Sequence, residues 1–408
     1  MIVIDATNKR PYGSPGGLSP QSFGQRLAPV HPGPDGHFDH VDPDSREFSS
    51  ATMYATVRRT LDIWQDYFGH KIQWFFHPTF TKLLLIPVLE WDNAQSGFGF
   101  LEFGFGRTPT GAIDPSSPFC QNFDVLAHEV GHNILFAELG FPDDGSETAE
   151  FGGHHEGGAD LVAAVSVLHF DSVVDYLLEN SKGNLFSVNE LSRIGELASG
   201  GQIRNLFNYF KMSDVDEEPH SLSQPLTGAI FDIFVDVFQK ELVKRGLITQ
   251  QLADRSTNGR SPENQIPGID QEFAAAYAGH ADGFKAALLA ARDYLGRLLA
   301  ETWSNISPSN LTYTKILRAI LEADEVVSGG VNQTNIRECF DWREIFHEPS
   351  AAEMKIRRIS DCGFVGHSYM NGHHPALTAQ RQETLAAAPQ VYIEGRVPVA
   401  VAKRKRKR

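Results

Sequence analysis

Cysteine is scarce in this sequence of 408 residues, which contains only Cys120, Cys339 and Cys362. These cysteines lie far apart and are odd in number, so neither a disulfide framework nor a cysteine-rich metal site is supported. The chain also lacks any run approaching the ~18–20 apolar residues of a membrane span. A membrane is therefore not an expected partner.

The start of the chain lacks the features of a secretory signal. Residues 1–6 do not provide a basic region followed by an apolar stretch of roughly 7–15 residues. The default expectation is a cytoplasmic protein, with secretion by another route as the alternative. The composition, with 41% hydrophobic and 21% charged residues, is ordinary for a globular protein.

Positive charge is in the minority, and the formal net charge is −15. The folded body should therefore not bind nucleic acid or an anionic membrane through bulk charge. Residues 403–408 differ, because all of them are basic. Such a run is typical of a nuclear-import or nucleic-acid patch, or simply of a solvated tail. Nucleic acid is not expected as a partner except through this tail.

Hydrophobic periodicity predicts a helix and a sheet first, and helices afterwards. A helical spacing over 48–68 precedes strand-like runs at 82–89 and 97–106. A helical pattern over 123–139 then ends at a glycine. Further helical patterns occur at 159–170, 226–242, 273–299 and 313–327.

These patterns predict an α+β protein in four parts. Residues 1–44 are expected to be a Pro-, Gly- and His-rich N-terminal arm, and 45–141 an α/β lobe that ends in the helix of 123–139. Residues 142–348 are expected to form a helical lobe, and 349–408 an extension that carries the basic tail. The length suits two or three domains, or two lobes with an active site between them.

The predicted helix over 123–139 contains an HExxH motif, formed by His128, Glu129 and His132. Histidines at i and i+4 lie about one turn apart on one helix face, so both imidazoles can bind one ion. Glu129 follows the first histidine and lies where an ion-bound water would sit. Zinc suits two imidazoles and one carboxylate with an open fourth position.

A carboxylate pair follows at Glu156 and Asp160, at the start of the next predicted helix. Glu156 would complete the ligand set, and Asp160 would accept a hydrogen bond from the second nitrogen of a ligand imidazole. The competing third ligands are His154, His155, Glu138, Glu147 and Glu150. The competing interpretation of the whole set is a buried helix with hydrogen-bonded histidines and an ordinary acidic pair.

The segments 123–132 and 155–160 resemble those of thermolysin-like gluzincin metallopeptidases, including the fungalysin type. The resemblance runs, with gaps, over 48–346. It implies a two-lobed zincin, with a twisted sheet and the active-site helix in the N-terminal lobe and a mostly helical C-terminal lobe. It also implies a zinc metalloendopeptidase that acts on peptide or protein substrates. The roles carried over are zinc ligand for His128, His132 and Glu156, general base for Glu129, and ligand support for Asp160.

Weaker similarities indicate further site residues. Asn93 and Ala94 resemble an edge-strand pair that hydrogen-bonds the substrate backbone, although Asn93 also suits a turn. Arg204 resembles an arginine that contacts a substrate carbonyl, and an ordinary solvated arginine is the alternative. His220 resembles a second catalytic histidine, which stabilises the oxyanion, and an ordinary loop histidine is the alternative. Asp216 is the expected partner of its imidazole.

The sequence also departs from the family pattern. Family members usually carry a tyrosine shortly before the third ligand, whereas 146–151 contains none. Structural calcium is compatible with Asp143, Asp144 and Asp171, but nothing groups these residues into a site. The functional alternative is a catalytically silent binding protein with a zincin fold, against which an intact Glu129 argues.

Overall fold

The computed structural model describes residues 1–346 except for 7–8, 18–19, 21–24, 109, 187–188, 190, 192–196, 199–200, 203–205 and 257–264. Within that part of the chain the protein is a mixed α/β structure in which helices predominate and the sheets are small. Arg204 and the basic tail lie outside the described residues.

The helices follow one another along most of the chain. They are α1 (Arg46–Phe68), α2 (Phe123–Leu139), α3 (Ala149–Val167), α4 (Asp171–Ser181), α5 (Pro219–Lys244), α6 (Gln250–Arg255), α7 (Ile266–Tyr277), α8 (Ala281–Asn305), α9 (Tyr313–Ser328) and α10 (Gln333–Trp342). The strands are β1 (Ile2–Val3), β2 (Leu84–Ile86), β3 (Ala94–Gly97), β4 (Phe100–Phe103), β5 (Phe105–Arg107), β6 (Ile113–Pro118), β7 (Leu197–Ala198) and β8 (Gly201–Gln202).

The main sheet has four strands in the order β1-β2-β4-β3, while β5 pairs with β6 and β7 with β8. Strand β2 runs parallel to both β1 and β4. Strand β3 is antiparallel to β4, with Ala94 opposite Phe103. It therefore ends the sheet on the side away from β1.

Both faces of this sheet are covered by apolar side chains. Leu85 and Leu101 belong to the main hydrophobic core, which also includes side chains of α1 and α2. On the other face, Ile86 and Phe100 form a second, smaller core with Ile4, Ala6 and Tyr12. Alternate strand residues point to opposite faces, so β2 and β4 contribute to both cores.

The second core includes the first residues of the predicted N-terminal arm over 1–44. Residues 2–3 form β1, and Ile4 and Tyr12 are buried against the sheet. The physical reason is the apolar character of residues 1–4, because Ile4 is buried and Ile2 and Val3 become partly buried when β1 pairs with β2.

A buried ion pair attaches the same segment to β4. The Nζ atom of Lys9 lies 2.6 Å from Oε2 of Glu102, and neither side chain is accessible to solvent. The other oxygen of Glu102 accepts hydrogen bonds from the Tyr12 amide and from the Gln95 side chain. Lys9, Tyr12, Gln95 and Glu102 are called the sheet cluster below.

The helix boundaries refine the sequence predictions. Helix α2 spans the predicted 123–139, because the Asn122 side chain accepts hydrogen bonds from the Asp124 and Val125 amides at its start and Gly140 follows its end. The region predicted as one helix over 273–299 is divided, since Gly279 adopts a φ of 78° between α7 and α8.

Two helices begin earlier than their hydrophobic patterns indicate. Helix α3 begins at Ala149 rather than 159, and Thr148 caps it by accepting a hydrogen bond from the Phe151 amide. Its early turns contain four glycines, which hide the periodicity in the sequence. Helix α5 begins at Pro219 rather than 226 and contains Pro225 within its first turns.

No single helix among the described residues is long and apolar enough to span a membrane. Helices α3 and α4 pass that test only together, by length and composition, and the pair is bent by 96°. The apolar composition of α3 suits a core helix, since all but one of its residues are buried.

Candidate active site

Helix α3 lies between α2 and α5, and glycines allow the three helices to approach closely. A Cβ on Gly131 of α2 would lie 2.8 Å from the Cα atom of Ala159 in α3. On the other side of α3, a Cβ on Gly157 would lie 2.9 Å from a methyl group of Thr227 in α5. Larger residues would therefore separate helices whose side chains must meet.

This close packing brings His128, His132 and Glu156 together. The Nε2 atoms of the two histidines are 3.1 Å apart. Oε2 of Glu156 lies 3.6 Å from Nε2 of His128 and 3.9 Å from Nε2 of His132. All three side chains are buried.

The donor atoms fit a zinc ion both in spacing and in chemistry. A tetrahedral zinc centre with bonds of ~2.0–2.1 Å holds neighbouring donors roughly 3.3 Å apart. The separations of 3.1–3.9 Å bracket that value. Two imidazoles and one carboxylate are also the donor set of zinc sites that keep a position open for water or substrate.

Among the described residues, His128, His132 and Glu156 are the group of three whose donor atoms can share an ion. The competing third ligands other than His155 have other partners or do not belong to this group. The carboxylate of Glu138 faces His70 at 3.1 Å, and that of Glu150 accepts a hydrogen bond from the Tyr313 amide. His154 accepts a hydrogen bond from the Trp303 indole at 3.2 Å, and Glu147 is not part of the group.

The second ring nitrogen of each histidine has its own partner. Nδ1 of His128 lies 2.8 Å from Oδ1 of Asp160, so the Asp160 carboxylate is placed to orient this imidazole. Nδ1 of His132 lies 3.3 Å from Nδ1 of His155. The structure thus brings Asp160 to the position expected from its spacing, and it adds His155 at the other ligand.

Burial governs the protonation of the groups around the site. It lowers the pKa of His154 to about 4 and that of His155 well below its usual value, and neighbouring histidines lower the latter further. Burial, and then the charge of Asp160, raise the pKa of Asp124 at the start of α2 to about 6. Burial therefore favours the neutral form of His154 and His155.

Glu129 lies in α2 between the two histidines in sequence and is buried with them. The helix holds its backbone in the same rigid segment as both imidazoles, so the position of Glu129 is set by the register of α2.

His220 lies in the first turn of α5 and reaches the same centre. Its Nε2 atom is 3.4 Å from Oε2 of Glu156, and its Nδ1 atom is 2.6 Å from Oε1 of Glu218. His128, His132, Glu156, Asp160 and His220 are called the helix cluster below.

The partner of His220 is a correction to the sequence prediction, which named Asp216. Glu218 caps α5 by accepting a hydrogen bond from the Ser221 amide at 2.9 Å. With one carboxylate oxygen held in this way, the other oxygen faces the imidazole of His220. Asp216 instead accepts a hydrogen bond from the Glu218 amide at 3.2 Å. Burial acts to raise the pKa of Glu218, but its bonds to His220 and to the Ser221 amide outweigh that effect and lower it.

The structure describes two of the three expected substrate-binding residues, Asn93 and Ala94. Asn93 directly precedes β3, and Ala94 begins that terminal strand, which also packs near α2. All four residues of β3 are buried. Arg204 lies outside the described residues.

The acidic residues considered for calcium have ordinary partners. The carboxylate of Asp143 accepts a hydrogen bond from the Ser309 hydroxyl at 2.9 Å, and that of Asp171 lies 3.2 Å from Nζ of Lys285. Within the described part of the chain these residues do not form a group that can hold an ion.

Sequence reasoning missed two residues, Glu218 and His155. Glu218 could have been found from the position of Pro219, because proline favours the first turn of a helix and makes the preceding residue a cap. His155 was considered only as a competing ligand, and no local pattern indicates that it meets His132 across two helices.

No family model matches this chain, and none of the curated proteins compared with it does so. Among solved structures, the chain is similar to the precursor of protealysin, a metalloproteinase from Serratia proteamaculans. The sequence identity is 13% and the TM-score is 0.47, over 84% of this chain and 87% of that one. A likeness this distant does not decide the function, which depends on the geometry of the site.

Proposed function

We propose that this protein is a zinc-dependent metalloendopeptidase of the gluzincin type. The observation that carries the proposal is the convergence of Nε2 of His128, Nε2 of His132 and Oε2 of Glu156, with 3.1–3.9 Å between them, beside a buried Glu129. A binding protein has no need of a carboxylate base next to such a ligand set.

Three residues of the helix cluster would hold the ion, namely His128, His132 and Glu156. When bound there, zinc acts as a Lewis acid and makes a water molecule acidic enough to attack a carbonyl group near neutral pH. Asp160 would keep the proton of His128 on Nδ1, which leaves its Nε2 lone pair directed at the ion.

Glu129 is the general base in this proposal. Its carboxylate would accept the proton of the attacking water and then pass it to the leaving amine. A buried position excludes bulk water from the proton transfer and keeps the carboxylate at a fixed place beside the ligands.

His220 would donate a hydrogen bond to the oxyanion that develops on the attacked carbonyl. Its Nδ1 faces the Glu218 carboxylate at 2.6 Å, which stabilises a positive imidazole and leaves Nε2–H directed at the site centre. Donors aimed at developing charge in a water-poor site are among the largest contributions to catalysis.

An extended substrate would lie along β3, with its backbone beside Asn93 and Ala94 and its scissile bond near α2. In the proposed two-lobed zincin arrangement the cleft would separate the sheet-bearing part from the helical part, with Arg204 as a further substrate contact. Because 146–151 contains no tyrosine, a second oxyanion donor beside His220 would have to come from another part of the chain.

Zinc analysis and peptide digestion test the proposal together. We expect near-stoichiometric zinc in the purified protein, cleavage of a mixed peptide library, loss of cleavage with a chelator and recovery with zinc. Glu129→Gln should keep its zinc and lose about 10²–10⁴-fold in turnover, the usual contribution of a general base. Full activity of Glu129→Gln would exclude the mechanism, and a zinc-loaded wild type that cleaves nothing would favour the silent binding protein.

A further inference from the structure

The two zinc-binding histidines of the proposed function differ in what holds their second nitrogen. Nδ1 of His128 meets a carboxylate, Asp160, at 2.8 Å. Nδ1 of His132 meets another imidazole, His155, through its Nδ1 atom at 3.3 Å. This inference rests on the proposed function, because it concerns how one of its ligands is positioned.

The positions of the protons on these two imidazoles follow from the role of each nitrogen as metal ligand, hydrogen-bond donor or hydrogen-bond acceptor. Nε2 of His132 points to the site centre and must carry a lone pair to bind a cation, so its proton is on Nδ1. That N–H group faces Nδ1 of His155, which must then accept the hydrogen bond. A neutral imidazole with an accepting Nδ1 carries its proton on Nε2.

The surroundings of His155 suit this neutral form. The side chain is fully buried, and its ring centroid lies 4.0 Å from that of Phe136 and 5.2 Å from that of Phe151. Its Nε2 atom makes no hydrogen bond within the described part of the chain. The rings of His155 and His132 are nearly parallel, at 13°, which suits a hydrogen bond between atoms in their planes.

We propose that His155 is a positioning residue that holds His132 as a zinc ligand by accepting the proton of its Nδ1–H group. His155 directly precedes Glu156 on α3, so one helix turn both supplies a ligand and orients another ligand on α2. Zinc affinity should therefore depend on an acceptor atom at the place of His155 Nδ1.

Two variants of nearly equal size separate this role from packing. In His155→Asn the amide oxygen is attached where Nδ1 is attached in histidine, so an acceptor is retained. In His155→Leu the branched side chain has a similar shape but no acceptor. Zinc affinity, measured by competition with a fluorescent chelator, should fall about 10–100-fold in His155→Leu, which is typical when the partner of a ligand imidazole is lost. We expect the zinc affinity of His155→Asn to remain within about threefold of the wild-type affinity, a much smaller loss than in His155→Leu.

A role in packing alone predicts the opposite order. Beside Phe136 and Phe151 an apolar leucine would be tolerated better than a buried amide, so His155→Leu would bind zinc as well as or better than His155→Asn. That order, with both variants folded by circular dichroism, would overturn the proposal.

His154 provides a matched control on the same helix. It is equally buried, but its Nε2 accepts a hydrogen bond from Trp303 at 3.2 Å and does not face the ligands. His154→Leu should lower the free energy of unfolding and leave zinc affinity near that of wild type. An equal loss of zinc affinity in both leucine variants would show a general loosening of α3 and would overturn the specific role of His155.

The tautomer gives a second measurement that needs no variant. Nitrogen-15 NMR of the zinc-loaded protein, labelled at histidine, should show the His155 proton on Nε2, and a proton on Nδ1 would overturn the proposal.

A wild type that binds no zinc would overturn the proposed function together with this inference. A wild type that binds zinc while both His155 variants match it would overturn this inference alone.

Discussion

The sheet cluster and the helix cluster both bury a carboxylate, but they differ in what balances its charge. In the sheet cluster the ammonium group of Lys9 lies 2.6 Å from Glu102, and further donors reach the second oxygen. In the helix cluster Glu156 faces imidazole nitrogens at 3.4–3.9 Å. The imidazoles of His128 and His132 bind a cation in their neutral form, which brings lone pairs but no formal charge, and the imidazole of His220 has a carboxylate partner of its own in Glu218.

This difference separates stability from function. A buried carboxylate is costly unless it is paired or coordinates a metal. The sheet cluster is complete with atoms of the protein, so its role is to attach residues 1–12 to the sheet. The helix cluster contains three donor groups that could hold one metal ion, so its proposed role is to bind a cation. Mutations in the two clusters should therefore change different properties.

The largest expected effect is the loss of zinc from Glu156→Gln. The substitution keeps the shape of the side chain and removes the charge and the strong donor, so zinc content should fall from near-stoichiometric to near background after dialysis. Peptide cleavage should fall with it. The control is Glu138→Gln on α2, whose carboxylate faces His70, and it should retain both zinc and activity. A zinc-loaded Glu156→Gln would show that another residue supplies the third ligand.

Breaking the sheet cluster should reduce stability without removing zinc. In Lys9→Met the Glu102 carboxylate stays buried without its ammonium partner, which typically costs about 3–5 kcal/mol in the free energy of unfolding. Urea denaturation measures this loss. The double variant Lys9→Met with Glu102→Leu should recover most of it, because an apolar pair can replace a buried ion pair. Weaker zinc binding in a folded Lys9→Met would mean that the two clusters are coupled.

A substitution between α2 and α3 should affect stability and zinc affinity together. The Cβ of Gly131→Ala would lie 2.8 Å from a backbone atom of Ala159, so the helices must move apart. We expect a loss of roughly 1–3 kcal/mol in the free energy of unfolding, as for overpacked cores, together with weaker zinc binding. The control Gly268→Ala in α7 has open space around its Cβ and should lower neither the free energy of unfolding nor the zinc affinity. If Gly131→Ala keeps the zinc affinity of wild type, the close approach does not set the ligand geometry.

The smallest expected effect depends on pH and lies beside the helix cluster. The pKa of Asp124 is raised from 3.8 to about 6, so between these values the folded state binds a proton that the unfolded state releases. The contribution of this group to stability is therefore lost as pH rises through that window. At pH 8 the free energy of unfolding of Asp124→Asn should exceed that of wild type by about 1–2 kcal/mol, and at pH 5 by less. This figure allows for the favourable interaction of the Asp124 carboxylate with the helix dipole, which the variant loses. Urea unfolding of both proteins at the two pH values measures the difference, and an equal pH dependence would contradict the assignment.

The residues of α2 show how much could be predicted from the sequence. The helix, its capped start and the common face of His128 and His132 follow from local rules, because a helix places i and i+4 side by side whatever surrounds it. The contact of Asp160 with His128 also agrees with its spacing from Glu156, since both follow from one helix face meeting another.

Other contacts could not be predicted, because they join elements through packing. The choice of Glu218 over Asp216 for His220 depends on which residue caps α5, and the meeting of His132 with His155 depends on the distance between α2 and α3. The place of residues 1–12 on the sheet depends on a strand pairing with β2 far along the chain. The glycines of α3, which weaken its sequence pattern, are what permits the close approach.

By itself the sequence determined the kinds of donor atom and their spacing along each helix, because side-chain chemistry and helix geometry are local. The tertiary structure alone decided which carboxylates and imidazoles meet across helices, and which buried charge a lysine balances. Those outcomes depend on the separations between packed helices and strands. Local periodicity does not encode such separations.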